Sequence, residues 1–147
     1  MVAIDRSQLR LYDIAVNAHI DTKAHTMRDV VKAFKALSDE TRLRILNLLL
    51  ERECCVCEVM QALEISQTRA SRNLSTLYDA GFLKLRKEGL WSLYSIPKED
   101  SEEYYANLVN TVRKALEGNK VVDKDRERLR KAERVGPTCV NRMRKTT

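Results

Sequence analysis

The chain has 147 residues, enough for one compact domain with a real core and some helical additions but not for two full domains. A composition of 44% hydrophobic and 33% charged residues is that of a globular protein, and the run "LNLLL" falls far short of the ~20 apolar residues that cross a membrane. The net charge of +6 suits an anionic partner, and residues 123–147, with nine Lys/Arg against four Asp/Glu, hold most of it.

The N-terminus carries Asp5, Arg6, Arg10 and Asp13 where a secretory signal needs an apolar core, so the expected location is the cytoplasm, with reduced thiols. Residues 5–18 place Leu9, Tyr12 and Val16 at helical spacing, one apolar stripe that needs a partner surface. "MRDVVKAFKAL" (27–37) repeats the pattern with Val30, Val31, Phe34 and Leu37. Ser38 then offers an N-cap oxygen before Asp39 and Glu40, and a further helix with a face of Leu43, Leu46, Leu49 and Leu50 runs to about Arg52. Residues 54–63 carry Val56, Val59, Met60 and Leu63, the stripe of a short helix. "EIS" breaks it, Ser66 caps "QTRASRNLSTLYDA", and Gly81 closes that helix as a left-handed residue. Two short helices separated by about three residues make a helix-turn-helix candidate.

"FLKLRK" and "LWSLYSI", joined by "EG", read as a tight β-hairpin that Pro97 ends. Residues 98–118 form an amphipathic helix, acidic first and basic later, ending at Gly118. A last charged helix covers 123–135, solvated in the plain reading of a charge run, and the end of the chain frays. These boundaries give three parts: 1–26, an N-terminal dimerisation helix and connection; 27–118, the main domain; and 119–147, a basic helix and tail.

Three of the four cysteines, Cys54, Cys55 and Cys57, crowd "ECCVCEVM"; the fourth is Cys139. Adjacent and C-x-C cysteines close rings too small for unstrained disulfides, so a metal or redox thiol site is the better reading. On a helix turning about 100° per residue, Cys54 and Cys57 fall opposite the apolar stripe, an odd place for residues that usually behave as small buried hydrophobes.

"ALSDETRLRILNLLL", the cysteine-rich short helix and "SQTRASRNLSTLYDAGFLKLRKEGLWSLYSI" together resemble the ArsR/SmtB family of metal-responsive bacterial repressors, over roughly residues 28–97. The resemblance implies a mainly α fold with a two-stranded β wing: a dimeric winged helix-turn-helix, here with extra N- and C-terminal helices. It implies double-stranded operator DNA and a second copy of the chain as partners, and no membrane. A recognition helix presents its N-terminal residues to the major groove, where Arg reads guanine and Gln or Asn reads adenine. Gln67, Thr68, Arg69 and Arg72 are accordingly expected near bases, Ser66, Ser71 and Asn73 nearer phosphates, and Lys84, Arg86 and Lys87 on the backbone from the wing.

"ECCVCEVM" also resembles the family's arsenic-sensing motif E-L-C-V-C-D-L-C, in which three cysteines hold a trivalent ion. Cys55 and Cys57 match its first two cysteines; the third is Met60 here, and Cys54 stands at the motif leucine. The implied inducer is As(III) or Sb(III), with other soft thiophilic ions possible, held by Cys55, Cys57 and Cys54. Cys139, Met60 or a small external thiol are the other candidates for third ligand, and Met60 lies on the core stripe. Residues 55 and 57 sit about 200° apart on a regular helix, so ion binding is expected to unwind its first turn and bias the protein away from DNA. His19 and His25 read as surface or packing residues, and residues 98–118 lack the histidines of the family's Zn-type site. Two rivals stand beside this reading: a thiol redox or persulfide-responsive repressor of the same fold, and a metal-binding interaction protein that does not touch DNA. No acid, base and nucleophile set points to an enzyme.

Overall fold

The structure is a computed structural model that describes residues 24–98 and 102–135. The helix expected over 5–18, His19 and Cys139 lie outside the described residues.

Helix α1 (Met27–Leu37) opens with a reciprocal capping box: Thr26 Oγ1 accepts from Asp29 N at 3.1 Å, and the Asp29 carboxylate accepts from Thr26 N at 3.0 Å. Of its expected stripe, Leu37 packs on the core but Val31 and Phe34 do not. Ala33 and Ala36 face the core, while Val31 and Phe34 remain 43% and 53% exposed. Two alanines let the helix approach its neighbour closely, which turns the larger apolar side chains outward.

Helix α2 (Glu40–Glu51) begins one residue later than its sequence suggests. Asp39 is the N-cap, with Oδ1 accepting from Arg42 N at 3.0 Å, whereas Ser38 ends α1 by donating Oγ to Phe34 O at 3.0 Å. Ile45, Leu46, Leu48 and Leu49 are buried, so α2 is enclosed on most sides and forms the spine of the core.

The cysteine segment departs most from expectation. Cys54 and Cys55 form a two-residue strand, β1, and helix α3 (Val56–Leu63) starts only after them. Helix α3 ends at Glu64, in the left-handed region with φ 56°. Helix α4 (Gln67–Asp79) follows, its N-cap Ser66 Oγ accepting from Arg69 N at 3.2 Å. Gly81, with φ 95°, stops α4; a Cβ there would also stand 2.7 Å from Tyr105 Oη and push the end of that ring aside.

Strands β2 (Lys84–Glu88) and β3 (Trp91–Ser95) pair antiparallel around a two-residue loop containing Gly89 at φ 59°. Strand β1 adds to the other edge of β3, with Cys54 opposite Tyr94 and Cys55 opposite Leu93. The wing is therefore three-stranded in the order β1-β3-β2, not the expected hairpin alone. Period-2 patterning has no meaning over two residues, so only the pairing partner reveals this strand.

Helices α5 (Glu103–Ala115) and α6 (Lys120–Lys131) complete the fold. The expected solvated reading of the last charged helix is overturned. Asn119 Oδ1 caps α6 by accepting from Val121 N and Val122 N at 3.0 and 3.3 Å, and Val122, Asp125 and Leu129 are buried against α2 and α3. No helix among the described residues is long and apolar enough to cross a membrane.

Candidate nucleic-acid interface and cysteine centre

Helix α4 offers one polar face. Gln67, Thr68, Arg69 and Arg72 are exposed at its N-terminal half and Ser71 is half-buried, while Ala70, Leu74 and Leu77 pack inward. Arg69 Nη2 also donates to Thr41 Oγ1 at 2.9 Å, which ties one end of its guanidinium to α2 and leaves Nε and Nη1 for other partners. Asn73 does not belong to this face. It is 9% exposed, donates Nδ2 to Arg69 O at 2.9 Å and accepts from Arg42 Nη1 at 3.1 Å.

Arg42 is thereby a staple of the helix-turn-helix unit. Its Nε donates to Ala36 O at 2.6 Å and its Nη2 to Lys35 O at 3.1 Å, so one guanidinium joins the end of α1 to α2 and α4. Sequence reading missed this role because the partners lie 31 positions apart.

All five residues of β2 are exposed, so Lys84 and Lys87 project freely from the wing. Arg86 is different: it pairs with Glu53, and with Glu88 at 2.9 Å. The expected backbone-tracking role of Arg86 meets a guanidinium already committed to two carboxylates, one of them next to Cys54.

The three clustered cysteines are all buried, at 0%, 3% and 6% exposure for Cys54, Cys55 and Cys57, and none lies on a polar helix face. Strand geometry separates the first two, because consecutive residues of β1 point to opposite sides. Cys54 enters the main core with Val59, Met60 and Leu63, whereas Cys55 and Cys57 share a small cluster with Leu93, flanked by Trp91 and Val135. The expected trio is thus a pair plus one. Among the described residues, no group of three or more His, Cys, Asp or Glu side chains is placed to hold a metal ion. Met60 is 4% exposed in the core, and His25 pairs with Glu102 and packs on Tyr104 and Tyr105, so neither stands beside the pair. Cys54 and Cys55 are free thiols, whereas Cys57 is disulfide-bonded, and not to its neighbours, as the ring-size argument requires.

Glu58, which sequence reading passed over, organises this centre. Its side chain is 2% exposed; Oε1 accepts from Cys55 N at 3.1 Å and from Arg134 Nε at 2.9 Å, and Oε2 pairs with Arg52. A glutamate three residues after an N-cap is the capping-box spacing, and that was the available signal. Burial pushes the Glu58 carboxyl up, but the donors from Arg134, Cys55 N and Arg52 outweigh it and hold the group below the usual carboxylate range. Burial likewise pushes the Cys54 thiol up to about 12, with the Glu58 charge adding to it, and raises Cys55. The lowered thiol pKa that a helix N-terminus suggests is therefore not found for these two: desolvation and a buried carboxylate win over the helix dipole.

Helix α6 and the four residues after it reach the same place. Arg44 Nε and Nη2 hold both oxygens of Asp125 at 2.8 Å, and Arg128 Nη2 meets Asp125 Oδ1 at 2.7 Å. Further on, Gln61 Nε2 donates to Glu133 O at 2.8 Å while Gln61 Oε1 accepts from Glu133 N at 3.1 Å.

Comparison with known proteins agrees with this architecture. Residues 39–85 match the description "Bacterial regulatory protein, arsR family". The cadmium resistance transcriptional regulatory protein CadC homolog of Staphylococcus aureus is 49% identical over 72 residues, 48% of this chain and 60% of that protein. The arsenical resistance operon repressor of Bacillus subtilis is 35% identical over 81 residues, 54% of this chain and 77% of that protein. Among solved structures, the homodimeric winged helix-turn-helix DNA-binding domain of a possible ArsR-family regulator from Mycobacterium bovis superposes with a TM-score of 0.53 at 28% identity, covering 82% of this chain and 94% of that one. The chain spans 60% of the length of the first two curated relatives it matches.

Proposed function

Given that this chain belongs to the arsR family of bacterial regulatory proteins, a family of transcriptional regulators and not of enzymes, we propose that it is a DNA-binding repressor released from its operator when a soft thiophilic ion, As(III) or Sb(III), engages Cys55 and Cys57. The observation that carries this reading is the seating of those two residues on one face at the junction of the wing and the helix-turn-helix. Cys55 sits in the edge strand of the wing sheet and Cys57 in the first turn of α3.

An ion bridging the two sulfurs sets the angle between strand and helix, and so shifts the wing relative to α4. No unwinding of a regular helix is needed, because Cys55 is already extended. Coupling of the two sites lowers ion affinity on operator by the same factor as operator affinity with ion. Reduced Cys57 and Cys55 supply two sulfurs, which fits a thiophile in part; Cys139 or a small external thiol supplies the third. Gln67, Thr68, Arg69 and Arg72 read bases, Ser66 and Ser71 lie near phosphates, and Lys84 and Lys87 follow the backbone. The exposed Val31 and Phe34 of α1 are covered in a homodimer, the state named for the Mycobacterium bovis relative. The setting is the cytoplasm, where the thiols are kept reduced.

The disulfide at Cys57 favours one second reading, a thiol-redox repressor of the same fold. One titration separates them. As(III), Sb(III), Cd(II), Pb(II) and Zn(II) are added separately to a labelled complex of reduced protein with operator, alongside peroxide and polysulfide. Release by As(III) or Sb(III) near one ion per site is the expected result. Release by the oxidants alone transfers the function to redox sensing, and failure to retain any DNA sequence-selectively removes the repressor reading.

The DNA face makes its own prediction. Arg72→Ala is expected to lose about 1 to 3 kcal/mol on operator and to discriminate less among base changes. Lys84→Ala should weaken all sequences alike and flatten the salt dependence by about one unit of slope. Competition binding against base-substituted operators at several salt concentrations checks both, and equal behaviour of the two variants would mean that the reading face is misassigned.

A further inference from the structure

Cys55 is 3% exposed and Cys57 6%, so in this form neither an ion nor a reagent reaches the pair. Leu93 and Trp91 pack beside them, and the strap that follows α6 closes over the same cluster. Val135 packs on the Cys55, Cys57 and Leu93 cluster, and its carbonyl accepts from Trp91 Nε1 at 3.4 Å. Arg134 crosses to Glu58, the residue that caps the Cys55 backbone N–H. Glu133 exchanges two backbone hydrogen bonds with the Gln61 amide, whose Nε2 also stands 3.4 Å from Cys57 Sγ. Each strap residue from 133 to 135 thus contacts a residue of the cysteine centre or its direct support. The contacts are few, the Glu133 bonds lie at the surface and Arg134 meets Glu58 by a single nitrogen, whereas Asp125 of α6 holds two guanidinium groups by three bonds, so the strap is the part that can lift while the helix stays docked.

We propose that residues 133–135 are a built-in cover of the effector site, held by Gln61, Trp91 and Glu58, and that its release is the step that admits a thiophile to Cys55 and Cys57. This assigns to the sensor four residues outside the cysteine run: Gln61, Trp91, Arg134 and Val135. It deepens the metalloid reading but is testable without it, because access to a thiol can be measured with a neutral alkylating agent and no operator.

The full-length protein and its Gln61→Ala, Trp91→Phe and Arg134→Ala variants, each reduced with a phosphine and each also carrying Cys139→Ser so that no bridge from that position can pin the strap, are treated with iodoacetamide. The thiolate displaces iodide, and fragment-ion mass spectrometry reads the rate at each cysteine. Arg134→Ala leaves Glu58 with Arg52 and Cys55 N, and Trp91→Phe keeps an aromatic ring while removing the indole N–H, so both variants are expected to retain the core. Loss of the Gln61 hydrogen bonds is expected to speed alkylation of Cys55 by about tenfold or more, the change that 1.4 kcal/mol of opening free energy produces. Cys54, in the main core, should not change. Unaltered Cys55 rates in all three variants overturn the proposal. So does equal acceleration of Cys54 and Cys55, which would make the strap part of the general fold. A protein that fails to respond to As(III) and yet shows the selective acceleration loses the metalloid reading and keeps the cover.

Discussion

Replacing both Cys55 and Cys57 with serine should leave operator binding intact and abolish release by As(III). The two sulfurs lie in a buried cluster with Leu93, away from the exposed face of α4, so no proposed DNA contact is lost. Serine is close to cysteine in size, and the cost is that of two hydroxyls in an apolar cluster, about 1 to 3 kcal/mol each if unpaired. The variant should therefore melt earlier while still reading its operator. Cys54→Ser is the contrast: its side chain enters the main core, so stability should fall while release by As(III) persists. Fluorescence anisotropy of a labelled operator with increasing As(III) decides the matter. If the double variant still dissociates at the wild-type concentration, the sensor is elsewhere in the chain.

The largest loss of stability is expected at Asp125. This carboxylate is 1% exposed and holds Arg44 and Arg128 with three contacts of 2.7 to 2.8 Å. Removing one partner of a buried charge network leaves the others uncompensated, which costs about 3 to 5 kcal/mol. Arg44 and Arg128 are 18% and 31% exposed, so water relieves part of that penalty and Asp125→Ala should fall at the low end. Against a total stability of roughly 5 to 15 kcal/mol, that is a large fraction. Lys131→Ala, which removes a pair that is 77% and 63% exposed, should change stability by under about 1 kcal/mol. Urea unfolding of the two variants checks the contrast. Equal midpoints would mean that α6 contributes little to the fold.

Local patterning sufficed for much of this protein. The capped start of α4, the glycine stop at Gly81 and the polar face of α4 all follow from residues within a few positions of one another, where hydrogen-bond geometry and helical periodicity act directly. The hairpin of the wing belongs with them, although Glu88 pairs with Trp91 and the loop is 89–90 rather than the expected "EG", so the register is not the one the sequence suggests.

Other features depended on partners that are distant in sequence. The stripe of Val31 and Phe34 looks like a core face by period, yet Ala33 and Ala36 are what α2 accepts, because the closest approach of two helices favours the smallest side chains. Asn73 reads as one more polar residue of a recognition helix until Arg42 is seen against it. The charged last helix reads as solvated because charge runs usually are, but Arg44 and Arg128 neutralise Asp125 and allow its burial.

By itself, then, the sequence determined the family, the order of the helices and wing, and the residue types that make the polar face of α4 and the cysteine cluster, since these rest on short-range periodicity, capping and motif spacing. Only the tertiary structure decided which cysteines meet. Pairing of Cys54 and Cys55 with β3 makes that segment a strand, a strand sends adjacent side chains to opposite faces, and so Cys54 goes to the core while Cys55 turns to Cys57 under a strap from the far end of the chain.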